Sequence, residues 1–146
     1  MSGLEVNKDR VEQAAQFFYA LPHAKALGVE FVGVEGNEVV TRMEYDERFV
    51  GDIKTGAIHG GTVLAMMDMC CGIAAVIHPE NPGSSATIDL RVDHLRPATP
   101  GQAITARAEV YHITPSVSFL RASAQDEDET SPVATASGTF TVALKP

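Results

Sequence analysis

The sequence predicts an α+β fold: a strongly curved antiparallel sheet of five or six strands wraps one long central helix, and a second helix lies at the N-terminus. Three observations carry this expectation. Residues 62–77 are apolar except for a single charged side chain, Asp68, and a helix apolar nearly all round must be enclosed. From Thr87 onward, short segments alternate apolar and polar residues between turn signals, the mark of half-buried strands. Near the N-terminus, apolar residues recur at helical spacing up to Pro22.

The elements follow in order. Residues 4–20 carry Val11, Ala14, Ala15, Phe17 and Phe18 on a helical period that Pro22 ends. Residues 29–34 and 38–45 alternate about Glu35-Gly36-Asn37 and read as a hairpin. Residues 46–58, with Gly51 and Gly56, read as a loop before a central helix from Gly61 to about Ile77. After the Pro82-Gly83 turn, Ile88, Leu90 and Val92 alternate with Asp89, Arg91 and Asp93; Ile104, Ala106, Ala108 and Val110 alternate with Thr105, Arg107 and Glu109. Leu120, Ala122 and Ala124 form another such series, and Phe140 and Val142 mark the last strand. Turns fall at residues 97–101, 114–116 and 125–132, and the acidic run 126–129 reads as a solvated hairpin tip. No repeat or linker divides residues 1–146, so one domain is expected, with its core at about 29–143. A single small sheet leaves part of the helix uncovered, and the N-terminal helix or a second subunit must close the rest.

Composition narrows the partners. Nineteen acidic residues against eleven basic ones give a net charge of −8, which weighs against nucleic acid and anionic membranes. A local basic site for a small anionic ligand is still compatible with that charge. The sixteen residues 62–77 fall short of the roughly 18–20 needed to span a bilayer, and Asp68 sits near their middle. Residues 1–5 lack the basic-then-apolar pattern of a signal peptide. Adjacent Cys70 and Cys71 suit small core residues better than a disulfide, so a reducing, cytoplasmic setting is expected.

The most informative segment is Ile58-His59-Gly60-Gly61, opening the apolar run that contains Asp68. With this motif, the layout resembles the hotdog fold, and the motif resembles that of acyl-CoA thioesterases of the phenylacetate-degradation (PaaI-like) type. The resemblance covers roughly residues 29–143. It rests on His59, Gly60 and Gly61 with an acid nine positions after the histidine, and on the strand Thr87-Ile88-Asp89-Leu90-Arg91-Val92 running into Leu95-Arg96-Pro97-Ala98. It implies hydrolysis of an acyl-CoA thioester to free acid and coenzyme A, with no cofactor beyond the coenzyme A of the substrate. It also implies that Asp68 is general base or nucleophile, that the Gly60 amide stabilises the oxyanion, and that the Thr87 hydroxyl helps hold water or substrate. Relatives often place an asparagine six or seven residues before the histidine; here Asp52 stands seven before. An ionised aspartate cannot donate an amide hydrogen bond, so the role is lost, Asp52 is protonated, or another residue fills it.

The chemistry is consistent with these roles. A thioester carbonyl under attack develops negative charge on oxygen, and preorganised donors lower that barrier. A helix N-terminus presents unpaired N–H groups, and Gly60 and Gly61 let a substrate approach them closely. His59 is placed to orient this loop or touch the thioester. A carboxylate among apolar residues costs several kcal/mol unless it is paired or hydrogen-bonded, so Asp68 is satisfied by structure or used by chemistry. Gly60 and Asp68 are eight residues apart, about 12 Å along a helix, too far to act on one carbonyl. Two antiparallel copies about a two-fold axis bring Asp68 of one to Gly60 of the other. A homodimer or dimer of dimers with shared sites is therefore expected.

Weaker candidates complete the set. Arg91, Arg96 and Arg121 are possible contacts for coenzyme A phosphates, and Ser116 is a turn residue or a ligand contact. His23, His78, His94 and His112 show no metal-ligand spacing with the cysteines, so no metal is expected. Met66, Met67 and Met69 suit core packing or the soft wall of an acyl tunnel. Two other functions fit the same fold. One is an enoyl-CoA hydratase or dehydratase using Asp52 and His59, against which the intervening residues 53–58 argue. The other is a non-catalytic acyl-CoA-binding protein, against which Asp68 argues.

Overall fold

The computed structural model describes residues 5–145. Residue 4, at the start of the expected first helix, lies outside them. The helix α1, Lys8–Ala20, is capped by the Asn7 side chain, which accepts from the Asp9 N–H. Pro22 ends it as expected and also begins a short second helix, α2, Pro22–Leu27, where its missing N–H costs nothing at the first position. Gly28, at φ +67°, closes α2 in the left-handed conformation that glycine adopts freely.

Strands β1 (Val29–Glu35) and β2 (Glu38–Met43) form the expected hairpin, tightened to a two-residue Gly36-Asn37 turn. The expected loop at 46–58 is more ordered than its sequence suggests. A 3₁₀ turn, Glu47–Phe49, leads into a small hairpin of β3 (Val50–Asp52) and β4 (Ala57–Ile58). Strands of two or three residues are too short to show an alternation.

The central helix α3 runs Gly60–Ile77, two residues longer than the apolar run that announces it. It is long and apolar enough to cross a membrane by length and composition. Half of it is instead buried within the protein, through Val63, Met66, Met67, Cys70, Cys71, Ile73, Ala74, Ala75 and Ile77.

The remaining strands are β5 (Thr87–His94), β6 (Ile104–Ile113), β7 (Val117–Gln125) and β8 (Ala134–Thr141), and the six-stranded antiparallel sheet has the order β1-β2-β6-β7-β8-β5. Small side chains let it close on α3. One rung of the concave face reads Val39, Ala108, Ala122, Ala136, Val92, and the next reads Thr41, Ala106, Ala124, Ala134, His94. Alanines at these positions bring the sheet backbone against a helix whose own buried residues are large.

The register of β5 corrects the sequence reading. Strict alternation puts Ile88 on the core face with Leu90 and Val92. A bulge between Thr87 and Asp89 shifts the pairing, so Thr87 lies opposite the buried Phe140 while Ile88 is 56% exposed. One inserted residue reverses the facing of everything beyond it. Gly138 accommodates the bulge, because a Cβ there would lie 2.7 Å from the Asp89 carbonyl oxygen. As a result Thr87 and His94, seven residues apart, face the helix from the same strand. Strand β5 is also a free edge of the sheet.

Candidate active site

The N-terminus of α3 is held from three sides. The His59 N–H bonds the Phe49 carbonyl at 2.8 Å, and its Nδ1 accepts from the Gly61 N–H at 2.8 Å. Behind it, Gly51 of β3 lies so close that a Cβ there would be 2.7 Å from the His59 Cα. Residue 51 must be glycine for the β3–β4 hairpin to brace the helix start. Because Nδ1 accepts, the neutral His59 ring carries its proton on Nε2. His59 is thus the N-cap of the helix, and the Gly61 N–H, a candidate substrate donor, is already taken. The Gly60 N–H has no partner among the described residues.

His94 is the site residue that sequence reasoning missed. Its imidazole packs on Gly60 so closely that a Cβ at position 60 would lie 3.2 Å from His94 Cε1. Its place at the end of the Thr41–Ala106–Ala124–Ala134 rung points it there, on the same face of β5 as Leu90 and Val92; the cross-strand register, which joins it to that rung, is what the sequence does not show. His59, Gly60, His94 and Asp52 line one cleft of about 520 Å³.

Asp68 opens into a different cleft, of about 530 Å³, between α1 and α3. It is half-buried, not enclosed as its apolar neighbours suggest. The Thr87 hydroxyl donates to its Oδ1 at 2.8 Å, a direct bond to the carboxylate, whereas the sequence reading assigns that hydroxyl to water or substrate. The helix brings Gly60 and Asp68 onto one face, with Leu64 between them at 42% exposure, but not into one cleft.

Asp52 is neither protonated nor paired with His59. Its carboxylate accepts from the Thr55 hydroxyl at 2.9 Å and the Lys54 N–H at 3.0 Å. These bonds, Thr55 foremost, hold it below the ordinary carboxylate range and keep it charged. The aspartate–histidine pair that a hydratase would use is not assembled, since His59 Nδ1 is engaged with Gly61.

The arginine candidates resolve differently. Arg96 grips Asp126 through two bonds of 2.7 Å and also bonds the Ser131 carbonyl. It is a structural clamp, although it borders the His59 cleft. Asp126, expected in a solvated tip, is 5% exposed; Arg96 chiefly, aided by the Thr99 and Asp128 N–H groups, holds its carboxyl well below the usual range. Arg91 pairs with Asp93, and Arg121 pairs with Glu109 over the Tyr111 ring. Both lie on the convex face of the sheet, away from both clefts. Ser116, in the β6–β7 turn, gives its carbonyl to the Val142 N–H and lines neither cleft. Cys70 and Cys71 are fully buried, and burial pushes the Cys70 thiol up to about 12. Among the described residues no three His, Cys, Asp or Glu side chains are grouped to hold a metal ion.

The Arg96–Asp126 clamp makes a stability prediction. Asp126→Asn is expected to cost about 3 kcal/mol, since it leaves the partly buried Arg96 guanidinium without its fully buried counter-charge. The folded protein binds the Asp126 proton less readily than the unfolded chain does. The clamp's contribution is therefore complete at neutral pH, begins to fall below about pH 4, and is lost as pH drops through the depressed folded value. Urea unfolding of both proteins from pH 7 to pH 2 checks this: the difference between the two should hold down to about pH 4 and narrow steadily below it.

Residues 55–133, more than half of the chain, match the thioesterase superfamily. The chain belongs to the thioesterase superfamily. Its fold is the hotdog, of the PaaI-like kind. A Pseudomonas aeruginosa protein of known structure is 32% identical and superposes with a TM-score of 0.80 over 91% of this chain and 98% of its own. The Escherichia coli PaaI protein of the phenylacetic acid degradation operon, 20% identical, also gives 0.80, covering 92% of this chain and 94% of its own. Thioesterase HI1161 of Haemophilus influenzae, 19% identical, gives 0.80 over 99% of this chain and 96% of its own. Among curated thioesterases, the medium/long-chain acyl-CoA thioesterase YigI of Escherichia coli is 28% identical over 94 residues, 56% of this chain. The chain covers 61% of the length of that relative.

Proposed function

We propose that this thioesterase-superfamily chain hydrolyses acyl-CoA thioesters in the cytoplasm, as a homodimer or dimer of dimers whose active sites are shared between subunits. The observation that carries this is the uncovered stripe of α3. Gly60, Leu64 and Asp68 share one face, and α1 covers a different flank through Ala14 and Phe18. A free donor and a carboxylate with one oxygen, Oδ2, left open, about 12 Å apart along one helix, need a second, antiparallel copy to meet. The exposed Leu64, Ile88 and Leu95 and the unpaired edge of β5 offer an apolar, hydrogen-bonding surface for that copy.

In this reading the thioester carbonyl oxygen accepts from the Gly60 N–H of one subunit, and the His94 ring beside it offers a second donor. Asp68 of the other subunit takes a proton from water as it attacks, or attacks the carbonyl itself. The Thr87 hydroxyl fixes Oδ1, leaving Oδ2 for the reaction. When water attacks, the tetrahedral intermediate collapses to the acid and the coenzyme A thiolate, which takes up the proton held on Asp68. When Asp68 attacks, collapse expels the thiolate and leaves an acyl–Asp68 anhydride that water then hydrolyses to the acid and the free carboxylate.

Short, medium, long and aromatic acyl-CoAs, assayed by free-thiol release, test this. Steady thiol release is the expected result. Tight binding with no release would favour the non-catalytic acyl-CoA-binding protein.

A further inference from the structure

The cleft that begins at Asp68 continues well past the reacting group. From Asp68 it follows α3 along Met69, Gly72, Ile73 and Val76, an i, i+4, i+8 stripe with its neighbours, and α1 forms the opposite wall through Phe17 and Phe18. Its far end is closed. The Arg10 side chain crosses from α1 to bond the carbonyls of Val76 at 2.5 Å and His78 at 3.3 Å, so its guanidinium is occupied in capping the helix C-terminus. Ser85, at the rim, has donated its hydroxyl to the Thr141 carbonyl. The Arg10 and Ser85 side chains are thus committed elsewhere; apart from Gln13 and Ser84, the lining between the ends is apolar or glycine.

We propose that this groove holds the acyl chain, and that the preferred substrates are unbranched aliphatic acyl thioesters of up to about ten carbons. This deepens the hydrolase reading and rests on it. Asp68 to Val76 spans eight residues, about 12 Å along the helix. A fully extended chain advances about 3.6 Å for every three bonds, so about ten chain atoms fill the groove before Arg10 stops it. A slot two helical turns long suits a linear chain better than a short, broad aromatic ring. Gly72, midway along, leaves the floor open: a Cβ there would meet nothing nearer than Phe140 at 4.0 Å. Phe17 is 69% exposed on the outer wall, where a bound chain would cover it. Met69, read from sequence as a possible tunnel wall, lines the groove, while Met66 and Met67 are core.

Binding to the Asp68→Asn protein separates this proposal from the hydrolase reading, because it needs no turnover. Calorimetric titration with butyryl- through myristoyl-CoA is expected to show Kd tightening about fourfold per methylene, the equivalent of about 0.8 kcal/mol for each CH₂ buried, and levelling near ten carbons. In the same background Gly72→Leu should remove most of this gain for octanoyl and longer chains while leaving butyryl-CoA binding in place. Phe17→Asp, at an exposed position that tolerates charge, should weaken long chains in the same way. A Kd independent of chain length, or long-chain binding indifferent to both changes, would overturn the groove even if the enzyme hydrolyses acyl-CoA. Chain-length-dependent binding by a wild-type protein that releases no thiol would support the groove and refute the hydrolase.

Discussion

Asp68→Asn is expected to abolish most acyl-CoA hydrolysis while leaving the folded protein about as stable as before. The amide keeps the size of the carboxylate and can still accept from Thr87 through its oxygen, so the 2.8 Å contact survives. What disappears is the group that takes a proton or attacks carbon. Because Asp68 is only half-buried, removing its charge relieves little desolvation, and the melting temperature should move by no more than a degree or two. A purely structural Asp68 predicts the opposite pairing: activity largely kept and stability lowered. Steady-state thiol release and a thermal melt on the same preparation distinguish the two.

Gly60→Val is expected to lower kcat by about 10²–10³, the usual cost of losing one oxyanion donor. The N–H itself remains, but the new side chain would stand where the carbonyl must approach. Its Cβ would also press on His94, 3.2 Å away at Cε1, and push that ring aside. The backbone of the first helical turn has no need of glycine's left-handed region here, since Gly60 is not among the positive-φ glycines. The loss should therefore appear in kcat and much less in folding. Turnover like the wild type's in a well-folded Gly60→Val protein would take the helix N-terminus out of the mechanism.

Much of this site is legible in the sequence because it sits on one helix. The 3.6-residue period fixes Gly60 and Asp68 on a common face, and their separation alone argues for two copies. The six strands of the large sheet and the hairpin at Gly36-Asn37 are legible from alternation and turn residues, whereas the short β3 and β4 are not. What alternation cannot show is a break in itself. The bulge at Thr87/Asp89 turns Thr87 toward Asp68 and Ile88 outward, and its signal is indirect: a glycine, Gly138, on the neighbouring strand where a Cβ would strike the Asp89 backbone. Charge patterning fails at Asp126 for a related reason. One carboxylate of an acidic run is buried by an arginine thirty residues away, a long-range pairing with no local mark. The same pairing removes Arg96 from the coenzyme A candidates. Asp52 looks like a lost asparagine in sequence; in three dimensions its carboxylate is committed to the turn it begins.

The shared site is tested most directly by mixing subunits. Asp68→Asn and Gly60→Val proteins, each nearly inactive, are unfolded or dissociated together and reassembled at equal concentrations. With a two-fold dimer, half of the dimers are mixed and each mixed dimer carries one intact site of two, so activity should recover to roughly a quarter of the wild-type value per subunit. Recovery at that level is the predicted result. No recovery after subunit exchange has been verified by mass would contradict the account, because it would mean that Gly60 and Asp68 do not act on the same substrate across the interface.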